Sequence, residues 1–137
     1  MPFLTPIQPE GWVPAKGYSN GMLAPAGARL LFVAGQIAWN ERQELVGRGD
    51  FVAQFEQALK NVRAIVEAAG GTPEHIARLT IYVTDKQLYN ARIRDVGKVY
   101  REVLGRHFPA MALVQVADLL EPDVWVEIEA TAALPGS

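Results

Sequence analysis

The feature that most constrains the fold is an amphipathic helix followed at once by an alternating strand, within residues 50–85. Asp50 is suited to cap the helix because its carboxylate accepts N–H groups of the first turn. Gly70 and Gly71 end it, since glycine tolerates the left-handed backbone of a helix end. In the segment RLTIYVTD apolar residues alternate with polar or aromatic ones, which predicts a strand with one face in a core. The apolar residues at helical spacing are Phe51, Phe55, Ala58, Leu59, Val62, Ile65, Val66 and Ala69.

The flanking segments add strands and one more helix. A second apolar series predicts a helix from about Leu88 to its end at Gly105, and Gly97 inside it indicates a close contact. Two strands are expected around a turn near residues 25–27, the second over 29–34. Two more are expected over about 112–116 and 124–132. The chain is then one domain of residues 1–137, with an extended Pro-rich segment over 1–15.

The order ββ-α-β-α-ββ predicts an α+β fold, with a mixed sheet of about six strands and two helices on one face. The other face is then uncovered. In the last strand it carries Trp125, Glu127, Glu129 and Thr131. Because a wide, partly apolar face in water is unusual for a monomer, we expect another subunit to cover it.

Composition excludes several kinds of site. The chain has no cysteine and two histidines, His75 and His107, which we place at the surface, so no metal site is predicted. A net charge of -2 and basic residues interleaved with acidic ones in the second helix indicate no nucleic-acid surface. Nucleotide-binding and serine-hydrolase motifs are absent. The start lacks the pattern of a signal peptide, and we expect a cytoplasmic protein without a membrane span.

One carboxylate stands out. Glu127 lies in the otherwise apolar strand segment VWVEIEA. A Glu on a half-exposed strand is usually just solvated. A carboxylate set among aromatic residues near an interface can instead hold or activate a water molecule, because partial desolvation raises its pKa.

The chain resembles the RidA/YjgF family. The segments GYSNG, LLFVAGQI, AQFEQALKNVRAIVEAAGGTPEHIARLTIYVTD, PAMALVQVADL and VEIEATA follow that family's order and spacing over about residues 16–133. The resemblance implies a chorismate-mutase-like fold and a homotrimer with a central β-barrel and three clefts between subunits. It also implies hydrolysis of reactive enamines and imines to ketoacids and ammonia without a cofactor.

This chain has only some of the site residues that active members of the family have. Tyr18, Gly35 and Glu127 match family positions, and this Glu helps to position the attacking water in the family. Met111 stands where active members have a carboxylate-binding Arg, and Ala112 replaces a Ser. We therefore expect a more apolar cleft without a guanidinium, with Trp39 or Trp125 nearby, that takes a small, less anionic ligand.

Two hypotheses for function follow. The first is a RidA-like deaminase or related hydrolase in which Glu127 positions water in an intersubunit cleft. The second is a non-catalytic ligand-binding or regulatory trimer on the same fold. An endoribonuclease, which is also among the activities proposed in the family, is a weaker third hypothesis because the chain is acidic and has no recognisable histidine pair.

Overall fold

A computed structural model describes residues 2–136 as six strands, three α-helices and one short 3-10 helix. In chain order these are β1 (Thr5–Ile7), β2 (Gly21–Leu23), β3 (Arg29–Gln36), α1 (Phe51–Ala68), the 3-10 helix (Pro73–His75), β4 (Ile76–Val83), α2 (Lys86–Ala91), α3 (Ile93–Leu104), β5 (Ala110–Gln115) and β6 (Val126–Leu134). The α+β prediction is confirmed. No helix of the described part is both long and apolar enough to cross a bilayer.

Helix α1 begins and ends where the sequence predicts. Asp50 caps it by accepting a hydrogen bond from the Ala53 backbone N–H at 3.1 Å. Gly70 follows its end with a φ of 88°, which favours glycine.

Gln54 is fully buried on the same face as the apolar residues. Its side chain bonds to three backbone groups, Gly47 O at 3.2 Å, Asp123 O at 3.0 Å and Trp125 N at 2.9 Å, and so fixes the loop that leads into β6.

The main sheet has four strands in the order β3-β6-β4-β5, of which only the β4–β5 pair is parallel. The expectation of about six strands in one sheet is therefore wrong. β1 and β2 pair with each other in a separate two-stranded sheet, so β2 does not pair with β3 across the turn at Gly27. Alternation predicts which residues share a face, but a strand's hydrogen-bonding partner depends on distant parts of the chain.

The second helical segment is two helices. The backbone leaves helical geometry at Arg92, with φ -116° and ψ 22°, and this residue ends α2 and precedes α3. Arg92 also forms an ion pair with Asp95 at 3.0 Å in the first turn of α3. Gly105 ends α3 with a φ of 71°, as the sequence predicts.

The helices cover one face of the sheet. Val126, Ile128 and Ala130 of β6 are buried in the core with the apolar sides of α1 and α3, whereas Glu127 and Glu129 face away from it and are half-buried. We call this second side the open face. It also carries two exposed apolar residues of β3, Leu30 at 61% and Phe32 at 75% exposure.

Candidate functional site

Glu127 and Met111 lie on opposite faces of the sheet. Strand β5 begins at Ala110, two residues earlier than predicted, so Met111 is inside the strand. It pairs with the buried Leu79 of β4 and packs against the core on the helix side. Glu127 pairs with Tyr82 on the open face, where Ala112 also belongs by its alternation with Met111. One protomer therefore does not bring Glu127 and Met111 into a single cleft.

Glu127 lies in a groove on the open face with a volume of about 310 Å³. We call it the open-face groove, and its lining residues are Gly35, Gln36, Ile37, Trp39, Gln43, Leu120, Glu121 and Glu127. Gly35 lies within an irregularity in the β3–β6 register, between Val33 and Gln36. A Cβ at Gly35 would lie 2.8 Å from Cδ of Glu127 and would overlap the carboxylate. Glycine is therefore required here for the carboxylate to lie against the β3 backbone.

The wall of this groove is held by α1. The Asn61 side chain donates hydrogen bonds to the backbone oxygens of Ile37 at 3.0 Å and Trp39 at 2.8 Å. A side chain of the helix layer thus fixes the loop that follows β3, and the groove has a defined shape in the protomer.

Glu127 and Glu129 differ in their partners. Tyr82 donates its hydroxyl to Glu129 Oε1 at 2.7 Å. This hydrogen bond, with desolvation and the charges of both carboxylates, raises the pKa of Tyr82 above its usual value, so the hydroxyl stays a donor at neutral pH. The Glu127 carboxylate has no hydrogen bond or ion pair with residues 2–136. It can therefore accept hydrogen bonds from a water molecule.

Met111 lies in a separate pocket on the helix side, with a volume of about 460 Å³. We call it the apolar pocket. Its lining residues are Lys16, Gly17, Tyr18, Phe55, Ile81, Tyr89, Ile93, Val96, Gly97, Tyr100, Arg101, Phe108, Met111 and Leu113. Tyr18 and Met111 thus line one pocket, whereas Trp39 lines the open-face groove, and Trp125 is not among the described lining residues of either site.

The segment that carries Tyr18 is anchored to the start of β5. Ser19 donates its backbone N–H to Pro109 O at 3.1 Å and its hydroxyl to Phe108 O at 2.6 Å. Phe108 in turn stacks on Tyr100 of α3 with ring centroids 5.4 Å apart. Burial raises the pKa of Tyr100, which donates its hydroxyl to His107 O, so this side of the pocket is neutral.

The two histidines are not the surface residues that we expected. His107 is half-buried and its Nε2 lies 2.7 Å from Ile76 O. His75 is also half-buried, and its Nδ1 accepts a hydrogen bond from Thr72 N at 2.9 Å. His107 thus joins the loop before β5 to β4, and His75 caps its own 3-10 helix. Among residues 2–136 no group of three His, Asp or Glu side chains is arranged to hold a metal ion.

The family model described as endoribonuclease L-PSP matches residues 11–134. The chain belongs to this family. A RutC family protein of Pyrococcus horikoshii is 34% identical over 119 residues, which cover 87% of this chain and 88% of that protein.

Two solved structures agree with this assignment. A Rid family protein of Yersinia pestis has a TM-score of 0.85 at 33% identity and covers 96% of this chain and 99% of its own. The YjgF gene product of E. coli has a TM-score of 0.65 at 36% identity, and the match covers 85% of this chain and 87% of that protein. The RidA/YjgF prediction is confirmed.

The structure of this endoribonuclease L-PSP family member adds residues that sequence reasoning missed. Arg101, one of the basic residues of the second helical segment, is exposed and also lines the apolar pocket. The signal available was Gly97, which is one turn before Arg101 and was expected to make a close contact. A Cβ at Gly97 would lie 3.2 Å from Arg101 Nη1, so the close neighbour is the guanidinium. Asn61 and Gln54, which position the groove and the loop before β6, lie in a segment that resembles the family, but no role was assigned to either.

Proposed function

We propose that the chain is a hydrolytic deaminase of small enamines and imines, in which Glu127 positions and activates the attacking water. Membership in the family supports a small-molecule deaminase or an endoribonuclease-like role. The observation that carries the proposal is the half-buried Glu127 carboxylate, which lies against Gly35 in a groove and has no partner among residues 2–136. The neighbouring Glu129 is occupied by Tyr82 and is not available in the same way.

The chemistry needs one carboxylate that changes its role. The imine carbon is the electrophile, and Glu127 takes a proton from water as the oxygen bonds to that carbon. The product of this step is a carbinolamine. The electrophile is the protonated imine, so this carbinolamine is neutral. Glu127 then returns the proton to nitrogen, and as the C–N bond breaks it accepts the hydroxyl proton, which leaves with ammonia as ammonium, and the carbonyl compound is released. An enamine enters the same sequence after it tautomerises to the imine.

The working unit is a homotrimer with its sites between subunits. Within one protomer, Glu127 is on the open face and the pocket of Tyr18 and Met111 is on the helix side. A site that uses both needs Glu127 from one protomer and the apolar pocket from its neighbour. Leu30 and Phe32, which are 61% and 75% exposed, are covered when open faces meet in a central barrel.

The alternative is a trimer that binds a small ligand without turnover. The observation that favours it is the apolar lining around Met111, with Ile81 and Leu113 beside it. A thioether offers no charge to a carboxylate, and an apolar pocket with few polar groups is typical of ligand-binding sites in general.

Glu127→Gln tests the proposal, with Glu129→Gln as the matched control on the same face of β6. The substrates are enamines formed from serine or threonine by a pyridoxal-phosphate dehydratase, and imino acids formed from leucine or phenylalanine by an amino-acid oxidase. Ammonia release is measured. We expect Glu127→Gln to lower the rate about 100- to 10,000-fold, as for loss of a general base, and Glu129→Gln to change it little.

Two results would contradict the proposal. The first is wild-type turnover that survives in Glu127→Gln. The second is a wild type that releases no ammonia from any substrate, which favours the ligand-binding trimer. Cleavage of single-stranded RNA without imine hydrolysis would instead support the endoribonuclease-like role.

A further inference from the structure

We propose that Arg101 is the anion anchor of the apolar pocket, and that the ligand is a carboxylate with an aliphatic or aromatic body. This inference rests on the proposed function in one respect: it takes the bound carboxylate to be the substrate of the proposed deaminase reaction. It replaces the expectation of a cleft without a guanidinium, which is wrong, because Arg101 lines the same pocket as Met111.

The charges of the pocket have one sign. Its lining residues include two cations, Lys16 and Arg101, and no Asp or Glu. The whole chain is acidic, with a net charge of -2. A cavity with positive groups and no acidic ones in such a chain is complementary to an anion.

Arg101 is available for a ligand. Its side chain has no hydrogen bond or ion pair within residues 2–136, whereas Lys98 pairs with Glu102 at 4.0 Å and Arg92 with Asp95 at 3.0 Å on the same helix. Gly97, one turn before Arg101, has no side chain, and the Arg101 guanidinium lies over this part of α3. Arg101 Nη1 is 3.2 Å from the position that a Cβ at residue 97 would take. The absence of a side chain at Gly97 thus lets Arg101 lie against the helix beside the pocket.

The remaining lining defines the body of the ligand. Ile93, Val96, Phe108, Met111 and Leu113 give an apolar surface with aromatic neighbours. The volume of about 460 Å³ is in the range of small-molecule sites and exceeds what a three-carbon acid fills. A guanidinium binds a carboxylate through two parallel hydrogen bonds, and the apolar surface beside it binds the hydrocarbon. The ligand therefore has its carboxylate at Arg101 and an apolar body larger than that of a serine-derived imine.

A purely structural role predicts different behaviour. Arg101 is in the last turn of α3, where a cation interacts favourably with the helix dipole. If that were its only role, its removal would lower stability slightly and leave ligand binding unchanged. Arg94, in the first turn of the same helix, is exposed and lines no part of the apolar pocket, so it is the matched control.

The experiment is calorimetric titration of the full chain with 3-phenylpropanoate and with its neutral amide, 3-phenylpropanamide. We expect the wild type and Arg94→Gln to bind the carboxylate on the order of tenfold more tightly than the amide. Arg101→Gln should lose this preference and keep its affinity for the amide. Thermal unfolding of both variants checks that the fold is retained.

The inference is overturned if Arg101→Gln keeps the preference, if Arg94→Gln loses it equally, or if the wild type binds neither probe. Because neither probe is turned over, the result is independent of catalysis. Glu127→Gln should bind the carboxylate as the wild type does. A protein without deaminase activity would therefore not refute the role of Arg101 in binding the carboxylate. A protein without the carboxylate preference would not refute the role of Glu127 in catalysis.

Discussion

The two faces of the sheet carry chemically different sites. On the open face, a carboxylate lies in a polar groove against the backbone of Gly35. On the helix side, a cavity of apolar side chains is bordered by Lys16 and Arg101 and contains no acidic residue. Neither site alone offers both an unpartnered carboxylate and an apolar cavity bordered by cations. The proposed deaminase therefore takes the open face of one protomer and the helix side of another.

The contrast extends to how each half is stabilised. The open-face groove depends on close backbone packing and on Asn61, which bonds to the loop after β3. The apolar pocket depends on side-chain packing, with Phe108 stacked on Tyr100 and Ser19 bonded to the backbone before β5. Small changes in the groove should therefore displace a functional group, and changes in the pocket should alter what fits.

Phe32→Asp should have the largest effect, because it places a charge on the open face, which the proposed trimer buries. Phe32 is 75% exposed in the protomer, so the variant should still fold. We expect sedimentation to show a particle of about 15 kDa in place of one three times heavier, and ammonia release to fall to background.

The control for that variant is Val13→Asp, at a residue that is 84% exposed but outside the main sheet. It should leave both mass and turnover unchanged. A trimeric Phe32→Asp protein with normal activity would mean that the open face is not the interface. A wild type that stays monomeric at micromolar concentration would reject the assembly itself.

Gly35→Ala should have the next largest effect, confined to the groove. The new Cβ would lie 2.8 Å from Glu127 Cδ, so the carboxylate must move. A displacement of about 1 Å in a catalytic group costs on the order of 100-fold in rate. Steady-state ammonia release should show a fall mainly in kcat, while binding of 3-phenylpropanoate is unchanged.

Gly21→Ala is the control for this change, because its Cβ would make an ordinary contact of 3.5 Å with Ile7 Cβ. Its turnover should match the wild type. Full activity in Gly35→Ala would show that the position of Glu127 against β3 does not matter for the reaction.

Much of the fold was predictable from local patterns, and the relation between the two site halves was not. Asp50 and Gly70 mark the ends of α1, and alternation in β6 places Glu127 away from the core, because both signals depend on neighbouring residues. Met111 and Glu127 were expected to line one cleft between subunits, and within one protomer they lie on opposite faces of the sheet. Alternation gives the faces within one strand, but the start of β5 and its register with β4 decide which side Met111 takes.

Arg101 illustrates the same limit for the site. In the sequence it is one of several basic residues interleaved with acidic ones, and charge patterning alone predicts a solvated face. Arg101 is exposed, but its place in a pocket that Met111 also lines depends on how α3 packs beside α1 over the sheet, which joins residues that are distant from each other in the chain.

The most direct test of a site shared between protomers is to mix two inactive variants. Glu127→Gln removes the base, and Gly97→Phe fills the apolar pocket from α3 without touching the open face. Each homotrimer should be inactive. After subunit exchange at equal amounts, about one quarter of the interfaces join an intact Glu127 to an intact pocket, so ammonia release should recover to about one quarter of the wild-type rate per site. If each site were built within one protomer, every subunit would carry a defect, and the mixture would show no recovery.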